Sequence, residues 1–312
     1  MPLDEKPNSD EISPITSQST SPPSTNNPTT TAHSLETLQV LPKILQEGII
    51  LLASGPALLL QAAQPSLKHN LGQTPSEDNT NNASTSTSTS TSPSHPANLT
   101  TDLPTTLQSI LGYIACLAFG TKEEKDALIG RLRLGQPPVP VSSNNPASQL
   151  WIIATLYATA TDFYQRIYGE FDYRTAERGF LEFSLVLKNL EPVVLAPGLW
   201  PDSRAAFWKY WDEQIEQLNV SAEARNFASE LMNRSDLPRG FSYMKPVMRA
   251  VAIEMVPDRI REAYGLKSTA GTRGLYRTTM GFSVAVWPAL PKRLRAYPVQ
   301  GYLEDMRGHL NV

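Results

Sequence analysis

The sequence predicts an all-α fold, a single multi-helix domain built around one buried central helix. Residues 145–169 read as an apolar helix with both ends marked, and the stretch from Leu150 to Ala160 contains no charge. Several other segments repeat apolar residues at helical spacing behind capping residues, and no convincing strand ladder is found. A helix that is apolar nearly all round is normally buried in the centre of a sizeable helical fold.

The ends of the central helix follow from side-chain chemistry. Asn145 is a good N-cap, because its side-chain oxygen accepts hydrogen bonds from free backbone N–H groups of the first turn. Pro146 takes the first helical position, where a missing N–H costs nothing. Gly169 is able to adopt the left-handed conformation that ends a helix. We expect any pocket to be lined by this helix and by residues 131–141, which precede it.

The composition divides the chain into a tail and a domain. Residues 1–34 are rich in Ser, Thr, Pro and Asn with few large apolar side chains, so they predict a disordered N-terminal tail. Residues 35–312 predict the helical domain, interrupted by a disordered insertion at 72–100. The apolar stretch 48–63 is shorter than the ~20 residues of a membrane span, and Pro56 interrupts it. It predicts core helix, with peripheral membrane contact left open.

The other helices are predicted from apolar spacing and caps. The motif from Thr121 to Glu124, TKEE, is a capping box that starts a helix. Asp202 or Ser203 caps one later helix, and Ser221 caps the next. The predicted spans are 107–120, a helix from Thr121, 171–190, 204–218, 222–233, 245–255, 257–264 and a proline-broken helical tail from Tyr276.

Composition also excludes several classes of function. The 312 residues carry a net charge of −3 with 18% charged residues, so nothing in the overall composition indicates binding to nucleic acid or to an acidic membrane surface. The single cysteine, Cys116, excludes a disulfide framework and a Cys-rich metal site, and is interpreted as a small buried hydrophobe. The polar, acidic N-terminus shows no secretory signal, which predicts a cytoplasmic protein or one associated peripherally with an internal membrane.

Six motifs, in order and at suitable spacing, carry a resemblance to a known family. They are LLQAAQP (59–65), FGTKEEK (119–125), NNPASQLWIIATLY (144–157), LWPDSRAAFWKYWD (199–212), VPDRIREAYGL (256–266) and LPKRLRAYP (290–298). From Leu35 to the C-terminus, apart from the insertion, the chain resembles the ER-bound oxygenase and rubber oxygenase (latex-clearing protein) catalytic-domain family. The Ser/Thr-rich insertions suggest a fungal member.

The resemblance implies a mostly helical haem protein. Its haem b is held by one protein histidine and serves oxygen chemistry on an apolar substrate. The family's ligand histidine lies about 30 residues beyond a threonine, and Thr106 matches that threonine, so the ligand position falls on Gln136. An arginine of the family corresponds to Asp102, and a histidine found in many relatives corresponds to Gln64. An amide oxygen is a poor substitute for imidazole as an iron ligand.

Each candidate residue also has a structural interpretation. Gln136 is either a degenerate catalytic and cofactor position or a loop residue before two prolines, and Thr106 lines the pocket or caps a helix. Gln64 is a cofactor-binding candidate or hydrogen-bonds across a helix break. His69 is the one histidine near the expected pocket, as a surrogate ligand or an exposed loop residue. With four histidines in all, no His-rich non-haem metal site is expected.

Two hypotheses of function remain at this stage. The first is an oxygenase-like oxidoreductase that acts on a hydrophobic small molecule, such as an intermediate of secondary metabolism. The second is a cofactor-free helical protein whose apolar pocket binds a small molecule without catalysis. Substitution of Gln136→His distinguishes them further, because it is expected to strengthen haem binding if the family's site is retained.

Overall fold

The structure is a computed structural model, and it describes residues 35–65, 99–141, 145–191, 193–233 and 245–310. The predicted disordered tail, most of the predicted insertion and His69 lie outside these residues. Within them every regular element is a helix and no strand is present, which confirms the all-α prediction.

The helices of the described residues are numbered in chain order. In order they are α1 (Leu41–Leu45), a first 3₁₀ helix (Gly48–Ala53), α2 (Ser54–Ala62), α3 (Leu99–Phe119), α4 (Lys122–Arg133), α5 (Pro146–Tyr168), α6 (Tyr173–Leu190), α7 (Arg204–Gln217), α8 (Ala222–Asn233), α9 (Lys245–Met255), α10 (Asp258–Ala263), α11 (Ala270–Val286), a second 3₁₀ helix (Trp287–Ala289) and α12 (Lys292–Leu310).

The helix α5 is the predicted central helix. Asn145 Oδ1 accepts a hydrogen bond from the N–H of Ala147 at 2.9 Å, and Pro146 starts the helix. Trp151 is completely buried in the main core cluster. The helix ends at Gly169 as predicted, but φ of 93° with ψ of 165° is an extended conformation rather than the left-handed helical one. That backbone region is essentially restricted to glycine.

The C-terminal end of α2 is fixed against α5 by buried side chains. Trp151 Nε1–H donates to the carbonyl of Leu60 at 3.0 Å. The amide of Gln61 donates to Thr155 Oγ1 at 2.9 Å, and the Tyr264 hydroxyl donates to a carbonyl of α2 at 2.6 Å. Because each bond satisfies a group that has lost water, these contacts fix how α2 sits on the central helix.

Predicted caps form where the sequence places them. Thr121 and Glu124 make the reciprocal capping box of α4. Ser203 rather than Asp202 caps α7, with its oxygen 3.1 Å from the N–H of Ala206. Ser221 caps α8 in the same way at 3.0 Å.

The start of α1 is held by a carboxylate from a distant helix. Glu182 of α6 accepts hydrogen bonds from the backbone N–H groups of Gln39, Val40 and Leu41 at 2.9, 2.8 and 2.8 Å. Arg178 donates to the same carboxylate at 2.9 Å. The first turn of a helix has free N–H groups and a partial positive charge, so a buried anion is well placed there.

The helix α12 lies along α3 and closes one side of the fold. A Cβ added at Gly112 would lie 2.9 Å from Met306 Cε, so the two helices meet closely at this glycine. At the next residue of α12, Arg307 Nε lies 2.7 Å from Oε1 of the buried Glu124. The capping carboxylate of α4 therefore also binds α12.

The apolar stretch 48–63 is part of the core. It forms the first 3₁₀ helix and α2, and Leu59 and Ala63 are completely buried. The helix break precedes Ser54, and Gly55 and Pro56 fall in the first turn of α2. Across the described residues, no helix combines the length and apolar character needed to span a membrane.

Candidate functional site

An apolar cavity of about 110 Å³ lies between α1, α3, α5 and α6 and is closed on one side by α12. The first 3₁₀ helix, the start of α2 and two residues of α7 complete its wall. Its lining residues are Leu41, Ile44, Leu45, Glu47, Ile50, Leu51, Ala53, Ser54, Ala57, Leu107, Leu111, Ile114, Ala115, Leu156, Tyr157, Thr159, Ala160, Thr161, Gln165, Phe171, Thr175, Ala176, Gly179, Phe183, Arg204, Trp208, Val299 and Tyr302.

Several polar groups of the wall are already bonded within the protein. The Thr159 hydroxyl donates to the carbonyl of Thr155 at 2.7 Å, and Gln165 Oε1 accepts from a backbone N–H at 3.2 Å. Arg204 Nε lies 2.8 Å from Glu177 Oε1. A polar ligand would break such bonds to gain its own, whereas an apolar ligand leaves them in place. The wall therefore favours an apolar occupant.

One end of the cavity contains a buried ion pair. The Arg295 guanidinium of α12 lies 2.6 Å from Glu47 Oε1, and their side chains are 12% and 4% exposed. The Tyr168 hydroxyl and Trp287 Nε1–H donate to Glu47 Oε2 at 2.5 and 3.0 Å. Burial, and then the bond to Glu47, raise the pKa of the Tyr168 phenol, so it remains a donor. This cluster joins the start of the first 3₁₀ helix to α5 and α12.

Tyr157 forms an aromatic wall of the cavity. Its ring lies 4.9 Å from that of Phe207 and 5.0 Å from that of Phe183, measured between centroids. The rings of Phe180 and Trp200 each lie 5.9 Å from it. Burial raises the pKa of Tyr157 to about 12, and the charge of nearby Arg204 only partly opposes this rise. The phenol is therefore neutral at physiological pH.

Thr106 is buried in the interior of α3, next to the cavity but facing away from it. The cavity-lining residues Leu107, Leu111 and Ile114 share a neighbouring face of the helix, and Thr106 lies about 100° round the helix from Leu107. Its position, more than a turn after Leu99, excludes the interpretation as a helix cap.

Gln136 lies just beyond the end of α4, and its side chain is exposed. Its backbone N–H donates to the carbonyl of Arg131 at 3.0 Å, and the N–H of Gly135 donates to that of Leu132 at 3.0 Å. Gly135 has φ of 69°. These are the two bonds of a Schellman helix end, in which Gln136 is the second residue beyond the cap.

Residues 131–141 do not line the cavity, so this part of the pocket prediction is wrong. The Tyr113 hydroxyl donates to the carbonyl of Val139 and accepts from its N–H. The Ser109 hydroxyl donates to the carbonyl of Pro140 at 3.3 Å. Tyr113 and Ser109 thus hold the segment on the face of α3 that carries Thr106.

Gln64 is buried just after the end of α2, and its backbone N–H donates to the carbonyl of Gln61. It does not line the cavity. Its Oε1 atom has no hydrogen-bond partner among the described residues. The structure thus brings neither Gln64 nor Gln136 to the cavity, and it leaves His69 outside the described residues.

The described wall does not fit an axially ligated haem. Of the four histidines only His309 is described, and it is exposed near the end of α12. The cavity has no Cys or Met in its described lining, and burial raises the pKa of its two tyrosines, Tyr157 and Tyr302, which disfavours an iron-binding phenolate. Its volume is close to that of an engineered cavity of about 150 Å³ that binds benzene, and too small for a porphyrin.

The fold and the site define an all-helical protein with an apolar internal cavity. The profile of the family described as "ER-bound oxygenase mpaB/B'/Rubber oxygenase, catalytic domain" matches residues 42–285, and the chain belongs to this family. It is also similar to the uncharacterized proteins Mb2261 of Mycobacterium bovis and Rv2237 of Mycobacterium tuberculosis. Each is 28% identical over 135 residues, which cover 40% of this chain and 51% of the relative.

The chain therefore spans about half the length of the curated relatives it matches. Both relatives are mycobacterial, and the fungal origin suggested by the insertions stays a prediction. No solved structure matches the chain.

Sequence reasoning did not find the Glu47 cluster. Glu47 and Arg295 are separated by 248 positions, and neither belongs to a pattern that identifies its partner. The available signal was weak: Glu47 is the only acidic residue between Leu38 and Ala63, in a segment that is mostly apolar. An isolated carboxylate in an apolar segment requires a buried partner.

Proposed function

We propose that the chain is an oxygenase-like oxidoreductase that binds a hydrophobic small molecule in the cavity between α3, α5 and α6. Membership of the oxygenase family supports the class. The observation that carries the proposal is the apolar cavity, whose polar wall groups are largely bonded within the protein. An intermediate of secondary metabolism is one molecule of this kind.

The wall also limits the shape of the ligand. Leu107, Leu111 and Ile114 present one aliphatic side, and Tyr157 and Phe183 present an aromatic side. Burial of apolar surface contributes about 25 cal/mol per Å², so a compact hydrocarbon group gains most from filling the space. We expect a small ring or branched chain to enter the cavity, and any polar part of the molecule to remain outside.

Haem b remains a proposal that depends on residues beyond the described ones. His69 is the candidate ligand, since neither Gln136 nor Gln64 reaches the cavity. The second candidate function is a cofactor-free protein that binds its ligand without turnover. The lack of an iron donor in the described lining favours this alternative.

Two measurements test the proposed function. A visible absorption spectrum, as isolated and after haem addition, reports whether iron is held: a Soret band lost in His69→Ala supports the haem-dependent oxygenase. Binding of benzene, followed by ligand-observed NMR, reports on the cavity, because a single ring is the size that such a cavity admits. Ala160→Phe places a ring in the cavity and should weaken benzene binding at least tenfold, whereas Ala205→Phe on the exposed face of α7 should not.

The outcomes separate the candidates. Benzene binding that Ala160→Phe abolishes, without a Soret band in any preparation, favours the cofactor-free alternative. Equal benzene binding by the wild type and both variants would reject the cavity as the ligand site. Circular dichroism and thermal unfolding check that Ala160→Phe is folded, since an overpacked core costs about 1–3 kcal/mol.

A further inference from the structure

The charge of the chain is distributed unevenly. Residues 263–303 contain six basic residues and no acidic one, a formal charge of +6. Because the whole chain has a charge of −3, the remaining residues carry −9. The basic stretch includes all of α11, the second 3₁₀ helix and the first part of α12.

Exposed large hydrophobic residues concentrate in the same stretch. We call residues 281–297 the α11–α12 corner, which joins the end of α11 to the start of α12. Phe282 is 60% exposed, Val284 48%, Leu294 61% and Tyr297 68%. The other three large hydrophobic residues described as exposed are scattered over the rest of the molecule. Isolated exposed hydrophobic residues are ordinary, but a group of four requires an explanation.

Basic residues are interleaved with this apolar group. Arg277, Lys292 and Arg293 are exposed. Arg277 and Val284 are seven residues apart and share a face of α11, while Arg293 lies one turn before Tyr297 on α12. The end of α11 is exposed on most sides, with only Ser283 buried in the run from Gly281 to Ala285. The corner is therefore an exposed surface that is both cationic and apolar.

We propose that the α11–α12 corner docks on the surface of an anionic lipid bilayer. Segments that combine Lys and Arg with Phe, Leu and Tyr lie at the boundary between headgroups and acyl chains, and the cations are attracted to anionic lipids. The exposed corner is able to insert its apolar tip, Phe282 and Leu294, among the headgroups. A second copy of the chain is disfavoured, because it would bring two cationic corners together.

Docking of this corner would bring the cavity close to the bilayer. Val299 and Tyr302 line the cavity and lie on α12, directly after the corner. A shallow surface depression at Gly301 shares Leu51 and Tyr302 with the cavity. This part of the inference rests on the proposed function: a hydrophobic ligand dissolves in the bilayer, and α12 is the wall nearest to it.

Co-sedimentation of the full chain with vesicles tests the docking. Wild-type protein is mixed with vesicles of phosphatidylcholine alone or with added phosphatidylserine, at low and physiological salt. We expect binding to the anionic vesicles that weakens with salt. Each cation near an anionic surface contributes about 1 kcal/mol, so the double variant K292Q/R293Q should bind roughly 30-fold more weakly.

A second pair of variants tests the apolar tip against matched controls. The double variant F282S/L294S should weaken binding at least tenfold. The control L134S/L181S removes two leucines that are 75% and 59% exposed elsewhere on the molecule, and should bind as wild type does. The control K188Q/K209Q removes two exposed cations outside the corner, and should also have little effect.

Three outcomes would overturn the proposal. The first is that the wild type fails to sediment with anionic vesicles at low salt. The second is that both control pairs reduce binding as much as the corner variants do. The third is that the protein binds polyglutamate as tightly as vesicles and F282S/L294S changes neither, which assigns the corner to an acidic protein partner. Ala160→Phe should bind vesicles normally, so a failure of the cavity proposal is distinguishable from a failure of docking.

Discussion

The buried pair of Glu47 and Arg295 is expected to be worth far more than a surface ion pair. Its nitrogen and oxygen lie 2.6 Å apart with both side chains nearly inaccessible. Glu47→Gln leaves the Arg295 charge buried with one amide oxygen, the Tyr168 hydroxyl and the carbonyl of Leu290 as acceptors. Loss of one partner of a buried pair costs about 3–5 kcal/mol, and the remaining acceptors favour the lower end, about 3 kcal/mol. Arg295→Met leaves the Glu47 carboxylate buried without its cation, and should cost a similar free energy of unfolding.

The double variant is the decisive one. With both charges absent no buried charge is left unpaired, so E47Q/R295M should lose no more than either single variant, at most about 3 kcal/mol, rather than the sum of about 6 kcal/mol. Urea denaturation of the wild type, both single variants and the double variant gives these free energies of unfolding. Tyr168→Phe is the matched control, since it removes the two hydrogen bonds of one hydroxyl and no charge, and should cost about 1–2 kcal/mol. Additivity within about 0.5 kcal/mol would refute the reasoning.

Three further predictions concern Glu182, Cys116 and Gln136. Glu182→Gln should lower the free energy of unfolding by about 3 kcal/mol, because three backbone donors lose their shared carboxylate. Arg178→Gln should cost less than about 1 kcal/mol, because the Arg178 side chain is half-exposed. Equal losses for the two variants in urea denaturation would contradict this prediction. Burial, and then the charge of Glu124, raise the pKa of Cys116 to about 12. Iodoacetamide at pH 8 should therefore label the unfolded chain and spare the folded one. Because the unfolded thiol ionises at lower pH than the folded one, the thiol also lowers the free energy of unfolding as the pH rises from about 9 towards 12. Gln136→His should yield no new Soret band with haem, since its side chain is exposed at the end of α4; a strong band would place the haem site at that loop.

Local features of the fold could be predicted because their causes lie within a few residues. The Asn145 cap, the Thr121 capping box and the Ser221 cap each depend on a side chain and a backbone N–H at most three positions away. The burial of α5 follows from its uncharged sequence. The motif resemblance correctly identified the family, because many weak matches in the right order are jointly specific.

The cavity wall could not be predicted in the same way. The prediction placed residues 131–141 at the pocket because they adjoin α5 in sequence, but Tyr113 and Ser109 hold them on another face of α3. The hydrogen bonds from the start of α1 to Glu182 join residues that are 141–143 positions apart in the sequence. No local pattern specifies contacts of this range, because they depend on how helices pack after they form.

The same long separations set an order of events during synthesis. The backbone of Leu41 leaves the ribosome 141 residues before Glu182, and Glu47 leaves 248 residues before Arg295. Chains are made from the N-terminus, at roughly 5–20 residues per second. The α1 segment and the first 3₁₀ helix therefore wait many seconds with their polar groups in water, and the pocket acquires its final wall only when α12 has been made.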